Sequence, residues 1–233
     1  MIPWISLDTA AVPGGEGELR LGRRGAEFSI MLGQNELMNS RLSKSEEALA
    51  TISLARIRGR RRPHVLIGGL GMGFTLRAAL AELGPEARIA VAELVPAVVA
   101  WARGPMAEIF GESLADPRLT IFEEDVGSLI RRAPSRYDAI LLDVDNGPEG
   151  LTRESNEDLY GLEGLSAARM ALCPGGVLAV WSSGPNRSFA QRLGSTGFAV
   201  EETRVRANGR RGGARHIIWI GTKPRAVGAG RMR

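Results

Sequence analysis

The sequence predicts an α/β fold built on one seven-stranded sheet, mostly parallel, with an antiparallel last strand. Three observations predict it. From residue 63 onward, apolar strand-like runs alternate with helix-like stretches. Several of those runs are apolar without interruption, among them Val65-Leu-Ile-Gly-Gly69, Ala139-Ile-Leu-Leu-Asp143 and Val177-Leu-Ala-Val-Trp181. Such runs suit strands covered on both faces by helices. Finally, only the loop 207–214 separates the last two runs, which makes them an antiparallel hairpin at the end of the sheet.

The elements follow in order. Residues 1 to about 17 are rich in Gly, Pro and small side chains and read as a loosely packed arm. Two short strands, 18–21 and 27–32, flank Gly22-Arg-Arg-Gly25, which suits a hairpin turn. A helix begins at Ser43 or Ser45. Ser43 and Glu46 have capping-box spacing, and Leu49, Ile52 and Ile57 share one face. The alternating region gives strands at 64–68, 88–92, 119–122, 137–142, 176–181, 199–206 and 215–220. Helices are predicted at 74–83, 96–109, 127–132, 156–172 and 187–194. Five alternating units and a closing hairpin give the layout of the Rossmann-like, nucleoside-binding sheet of S-adenosylmethionine (SAM) methyltransferases. The organisation predicted is an N-terminal arm and short β-hairpin over 1–42, a nucleoside-binding catalytic domain over 43–221, and a disordered basic tail over 222–233.

Composition narrows the function. The 233 residues are 44% hydrophobic and 24% charged, ordinary for a globular chain. No apolar run approaches the roughly 20 residues that span a bilayer, and the N-terminus lacks the basic start of a signal peptide. A single cysteine, Cys173, excludes an intrachain disulfide and fits a cytoplasmic protein. It reads as a buried helix-end thiol. Two histidines, His64 and His216, both inside predicted strands, are too few for a zinc site with Cys173. No metal is predicted. The absence of a G-x-S-x-G elbow removes most of the weight from hydrolase readings.

The chemistry gathers at the strand ends. Gly69, Gly71 and Gly73 form a G-x-G-x-G turn between the first parallel strand and its helix. This is not the G-x-G-x-x-G spacing of dinucleotide sites, and it favours a nucleoside without a pyrophosphate. The second strand ends at Glu93, about 20 residues past Gly73, where an acid accepts both ribose hydroxyls. The third ends near Asp125, where an acid or amide meets the adenine amino group. The fourth ends Leu142-Asp143-Val-Asp-Asn146. Each acid alone reads as a solvated loop residue. Three in succession on the ligand-binding edge of an open α/β sheet read as a pocket. A sulfonium cation tolerates such an acidic rim, and a pyrophosphate does not.

These residues resemble the spermidine synthases, the polyamine aminopropyltransferases. The resemblance runs from about Leu42 to Ile220. It is carried by Glu46-Glu47-Ala-Leu-Ala, Gly68 to Gly73, Ala92-Glu-Leu-Val95, Asp116-Pro-Arg-Leu119, Glu124-Asp125, Tyr137-Asp-Ala-Ile-Leu-Leu-Asp143, and Leu159-Tyr160 ahead of Pro174-Gly-Gly. It implies decarboxylated SAM, or SAM, as co-substrate. Glu93 is then the ribose acid, Asp125 the adenine acid, and Asp143 the acid that positions the attacking amine or takes its proton. Glu47, Asp145, Asn146 and Tyr160 fall on the acceptor side. The hairpin at 18–32 resembles a shortened form of the family's N-terminal β-region, which implies a homodimer. The sequence departs from the pattern at three places, one of them near Asn146, where the family's second acid after the fourth strand aligns although Asp145 is one residue away. Gly71 stands where the family carries an acid for the aminopropyl ammonium. Ser45 stands for a tyrosine in a substrate-binding stretch of which only Glu47 is retained.

Four readings follow. Aminopropyl transfer to a small amine uses Asp143 as base. Methyl transfer from SAM uses the same nucleoside pocket, with Arg77 a candidate for the SAM carboxylate. Nucleic-acid binding would use Arg58, Arg60, Arg61 and Arg62 with Arg204, Arg206, Arg210 and Arg211, although the chain is only 5% aromatic and neither cluster interleaves stacking rings. A non-catalytic nucleoside-binding protein is the fourth. Trp101, Trp181 and Trp219 read as core or pocket wall, and Met31, Met38 and Met72 as packing that can flank the ligand.

Overall fold

The computed structural model describes residues 2–14, 17–144, 147–148, 158–209 and 212–225. They form two sheets. The N-terminal sheet is antiparallel, in the order β1 (Ile5–Ala11), β2 (Glu18–Arg24), β3 (Glu27–Leu32), β4 (Asn35–Asn39). The β2–β3 hairpin lies where the sequence places it. Leu19, Leu21, Phe28 and Ile30 alternate onto one buried face. The loosely packed arm is corrected: residues 5–11 are a strand laddered to β2, from Ile5 opposite Arg23 to Ala11 opposite Glu18. β1 is an edge strand with almost every side chain exposed, so it shows no apolar alternation to read. Trp101 Nε1 ties it down by donating to Asp8 at 2.7 Å.

The second sheet has seven strands: β5 (His64–Gly68), β6 (Arg88–Ala92), β7 (Leu119–Phe122), β8 (Tyr137–Leu142), β9 (Leu172–Ser182), β10 (Ala199–Arg206) and β11 (Arg215–Thr222). Their order is β10-β11-β9-β8-β5-β6-β7. β5 to β9 run parallel, and β11 is antiparallel to both neighbours. α1 (Lys44–Leu54), α2 (Phe74–Glu82), α3 (Pro96–Arg103) and α4 (Ala107–Phe110) supply one layer, and α5 (Val126–Arg131), α6 (Leu162–Ala171) and α7 (Arg187–Ser195) the other. Every residue of β8 is buried, as its unbroken apolar run requires. One core lies between the sheet, α1 to α3 and the N-terminal hairpin. The other lies under α5 to α7.

Several local expectations change. The helix over 96–109 is two helices, because Pro105 removes a backbone donor after Gly104. The Ser43–Glu46 capping box is absent: Ser43 bonds Glu47 instead, at 2.7 Å, and gives no side-chain cap. β9 begins at Leu172, earlier than the sequence suggests, with Pro174-Gly-Gly looped out where the register to β8 jumps. Cys173 is therefore a half-buried strand residue bonded to the Ser135 carbonyl, and no helix-end thiol. The first tail residues are paired, with Lys223 N donating to Gly176 O at 2.8 Å. The rest of the tail from 226 lies outside the described residues. No helix among the described residues is long and apolar enough to cross a membrane.

Candidate active site

The glycine turn is built by close approach. Asp143 N donates to Gly68 O at 3.0 Å and Gly69 N to Ala92 O at 2.8 Å, so the turn is stitched to the ends of both flanking strands. Gly69 has φ +87°, and a Cβ there would be driven into the Asp143 carbonyl oxygen. Only glycine fits that position. Gly73, at φ +75°, is the N-cap of α2 and lies against the Phe110 ring. Gly71, at φ +49°, faces the Met38 sulfur of β4, which lies 3.1 Å from where a Cβ would stand.

Glu93 follows β6 and is 8% exposed. Its Oε2 accepts from Leu70 N and its Oε1 from Val95 N, both at 2.9 Å. Burial pushes its proton affinity up, against the stabilising backbone N–H groups of Val95, Leu70, Gly71 and Leu94. Glu93 thus joins the β6 end to the glycine turn. Asp125 is exposed and caps α5, its Oδ2 accepting from Ser128 N at 2.7 Å. Arg131 lies 3.4 Å from the same oxygen.

Asp143 follows β8. Its Oδ2 accepts from Thr75 Oγ1 of α2 at 2.7 Å, and the same hydroxyl lies 3.3 Å from the Glu46 carbonyl of α1. Burial raises its pKa to about 6, with the Thr75 bond acting the other way. Glu46 is its electrostatic neighbour. Burial first, then the Asp143 charge, raise Glu46 to about 7, and the Ser45 hydrogen bond at 2.8 Å opposes them. Ser45 Oγ is in turn 3.0 Å from His216 Nδ1, whose ring stands edge-on to Trp181 with centroids 4.6 Å apart.

The structure therefore joins Gly69, Gly71, Gly73, Glu93 and Asp143 along one edge, with Asp125 at its α5 end. Glu47 is not brought to Asp143. It faces Lys44 at 2.6 Å and Ser43, and although burial raises its pKa, these partners bring it below the usual carboxylate range. Tyr160 is buried against Phe189, and its hydroxyl reaches the Val144 carbonyl at 3.5 Å. Asp145 and Asn146 lie outside the described residues. Arg77 donates to the Ile109 carbonyl at 2.8 Å. Glu46, Thr75 and His216 escaped the sequence reading. A signal existed for Glu46: it precedes the buried Ala50 and Leu54 by one and two helical turns, whereas Glu47 precedes the exposed Thr51. Two cavities of about 510 Å³ each lie off this edge, one beside α2 and α4, the other at the opposite ends of β5 to β7. No metal-binding cluster occurs among the described residues.

No protein-family model matches the chain. Curated relatives do. The chain is 31% identical over 153 residues to polyamine aminopropyltransferase 1 of Streptomyces coelicolor, covering 61% of this chain and 28% of that protein. It is 34% identical over 146 residues to the polyamine aminopropyltransferase of Mycobacterium tuberculosis, covering 58% and 27%. With polyamine aminopropyltransferase 2 of Pseudomonas aeruginosa it shares 32% over 120 residues, 50% of this chain and 32% of the relative. The chain thus spans about a third or less of the length of these three relatives. Among solved structures it superposes on spermidine synthase from Thermotoga maritima with TM-score 0.73 at 17% identity, covering 94% of this chain and 72% of that one. A spermidine synthase in complex with the transition-state analogue AdoDATO gives 0.72 at the same identity and coverage. Over half or more of its length the chain is thus similar in sequence to polyamine aminopropyltransferases, and it carries the fold of spermidine synthase.

Proposed function

We propose that this chain is a transferase of polyamine biosynthesis that moves an aminopropyl group from decarboxylated SAM to an amine. The observation that carries the reading is Asp143, a carboxylate raised to about 6, held by Thr75 at the end of β8 directly beside the glycine turn. An amine has a pKa near 10 and must lose a proton to attack. The nitrogen lone pair forms the bond to the propyl carbon, and the C–S bond breaks with its electrons going to sulfur. Methylthioadenosine leaves, and the nitrogen's proton passes to Asp143. Glu93 is assigned to the ribose diol, as an acid at the end of the second parallel strand beside the glycine turn. Asp125 is assigned to adenine. Gly69, Gly71 and Gly73 flank the methionine-derived arm, and Tyr160, Asp145 and Asn146 belong to the acceptor side.

Methyl transfer from SAM is the second reading. It is favoured by Gly71, which offers no carboxylate to an aminopropyl ammonium and is flanked by a thioether. A cytoplasmic homodimer completes the proposal, paired through the N-terminal sheet, where Trp4, Ile5 and Leu7 are exposed. The arginine clusters favour no nucleic acid: Arg58, Arg60, Arg62 and Arg204 face Glu82, Asp138, Glu86 and Glu202. Titration calorimetry with decarboxylated SAM, SAM and methylthioadenosine tests the reading. Tighter binding of decarboxylated SAM supports aminopropyl transfer. Tighter binding of SAM moves the assignment to methyl transfer, and binding of none overturns both.

A further inference from the structure

We propose that the cavity at the start of β5 to β7, remote from the glycine turn, is a second ligand site that takes a phosphate monoester, its phosphoryl group on Arg88, Arg136 and His64 and its organic part over Phe122. The site stands apart from the nucleoside pocket and needs no assumption about the reaction there.

Strand register sets the row of cations. β8, β5, β6 and β7 are neighbours in that order. His64 pairs with Arg88, and Ile89 pairs with Leu119, so Arg88 and Arg118 stand at one level. Leu66, Ala90 and Phe122 belong to the core under α5 to α7. By alternation His64, Arg88 and Arg118 fall on the same face of the sheet. Arg136 precedes β8 and completes the row. Its guanidinium stands 5.9 Å from the centre of the Tyr137 ring, and that ring is edge-on to His64 with centroids 5.0 Å apart. The cavity lined by these cations, Thr120 and Phe122 measures about 510 Å³. That is the size of a small-molecule pocket, and a bare phosphate does not fill it.

The protein leaves these charges unbalanced. Each acid that meets the row is held by another arginine: Asp116 by Arg118 at 2.8 Å, Glu86 by Arg62 at 3.3 Å, and Asp138 by Arg60. Among the described residues Arg88 and Arg136 make no ion pair, and the His64 ring nitrogens make no hydrogen bond. The positive field reaches the half-buried His64. Burial first, then the Arg136 and Arg88 charges, push its pKa below the ordinary imidazole value, against the pull of Asp138. The ring is therefore neutral at pH 7, with one nitrogen free to donate.

A phosphate monoester answers each condition. It carries nearly two negative charges at pH 7 and three terminal oxygens. Two guanidiniums match the charge in the fork geometry that suits phosphate, and the imidazole N–H donates to a further oxygen. A carboxylate, with one charge and two oxygens, leaves one cation unmatched. Phe122, half-buried at the wall, offers an apolar surface to the organic group.

The test uses the full chain and phenyl phosphate, with phenol and inorganic phosphate as probes of each half. Calorimetry follows affinity. Proton NMR follows the imidazoles, and His64→Gln tells His64 from His216, the only other histidine. Phenyl phosphate binds more tightly than inorganic phosphate, and phenol does not bind. On binding, the pKa of His64 rises by about one pH unit, the effect of an anion within a few ångströms, and that of His216 stays. Arg88→Gln and Arg136→Gln each weaken phenyl phosphate by about tenfold or more, the scale of a charge-assisted contact. Arg206→Gln, on β10, changes nothing. Methylthioadenosine affinity stays within about twofold in all three variants. An unmoved His64 pKa, or equal weakening by Arg206→Gln, overturns the site and reduces binding to the general attraction of a basic surface. Inorganic phosphate bound as tightly as phenyl phosphate overturns the assignment of a monoester. A thermal melt of each variant separates these outcomes from misfolding.

Discussion

Glu93 and Asp143 stand on the same sheet edge, yet their surroundings differ in kind. Glu93 is held by backbone amides on both oxygens, and those amides belong to the turns it stabilises. Asp143 is held by one side-chain hydroxyl and faces a second carboxylate. Burial raises the proton affinity of both. The amides around Glu93 are fixed in the fold, whereas the hydrogen-bond partner of the Asp143 carboxylate is a side-chain hydroxyl. On the proposed function, Glu93 organises the nucleoside pocket and Asp143 takes the proton.

The sharpest way to break this contrast is to neutralise each acid. Asp143→Asn is expected to lower kcat by about 10²- to 10⁴-fold, the usual range for a general base, with methylthioadenosine affinity retained. Full turnover in that variant would end the catalytic assignment. Gly69→Ala should cost on the order of 1–3 kcal/mol from backbone strain alone, before the contact with the Asp143 carbonyl is counted. Denaturant titration measures it, and no loss would mean the turn is not seated between the strand ends. Glu93→Ala should destabilise the fold by about 1–3 kcal/mol, because it strands the Leu70 and Val95 amides. Asp125→Ala should cost about 1 kcal/mol as a lost N-cap. Calorimetry then sorts Asp125: weaker nucleoside binding supports the adenine role, and unchanged binding reduces it to a cap.

The subtlest contrast is in pH. Asp143 rises from 3.8 to about 6 and Glu46 from 4.5 to about 7 on folding. Folded-state values above the unfolded ones mean that the native state binds these protons more tightly. Their contribution to stability is full below about pH 4 and is lost as pH rises through about 7. Glu46→Gln cannot ionise and also relieves Asp143. Measured against that variant, wild type should lose relative stability between about pH 4 and 7. A pH-independent difference would show that folding does not raise the proton affinity of Glu46.

The fold was legible because its strands are written in two unmistakable ways. β8 is an unbroken apolar run, and the β2–β3 hairpin alternates cleanly around its turn. β1 was not legible, since an exposed edge strand with a ladder on one side needs no apolar pattern. At the site, Glu93, Asp143 and the glycine turn were readable because strand ends fix where such residues point. Glu46 was harder. On a helix, one residue of register turns a side chain by about 100°, and the motif alignment favoured Glu47, whereas the buried stripe through Ala50 and Leu54 favours Glu46. Thr75 and His216 act through contacts between α2, α1 and β11 that no local pattern encodes.

The Met38 thioether against Gly71 bears on how this chain could be re-engineered. An acid restored at position 71 would have to adopt φ +49° and displace a side chain that belongs to the other sheet. Gly71→Asp alone is therefore a poor graft. Paired with Met38→Ala, it removes the obstructing sulfur and leaves only the backbone strain to bear. The substitution is a two-site change, and its second site lies in the N-terminal sheet, so donor preference and the seating of that sheet on the glycine turn are inherited together.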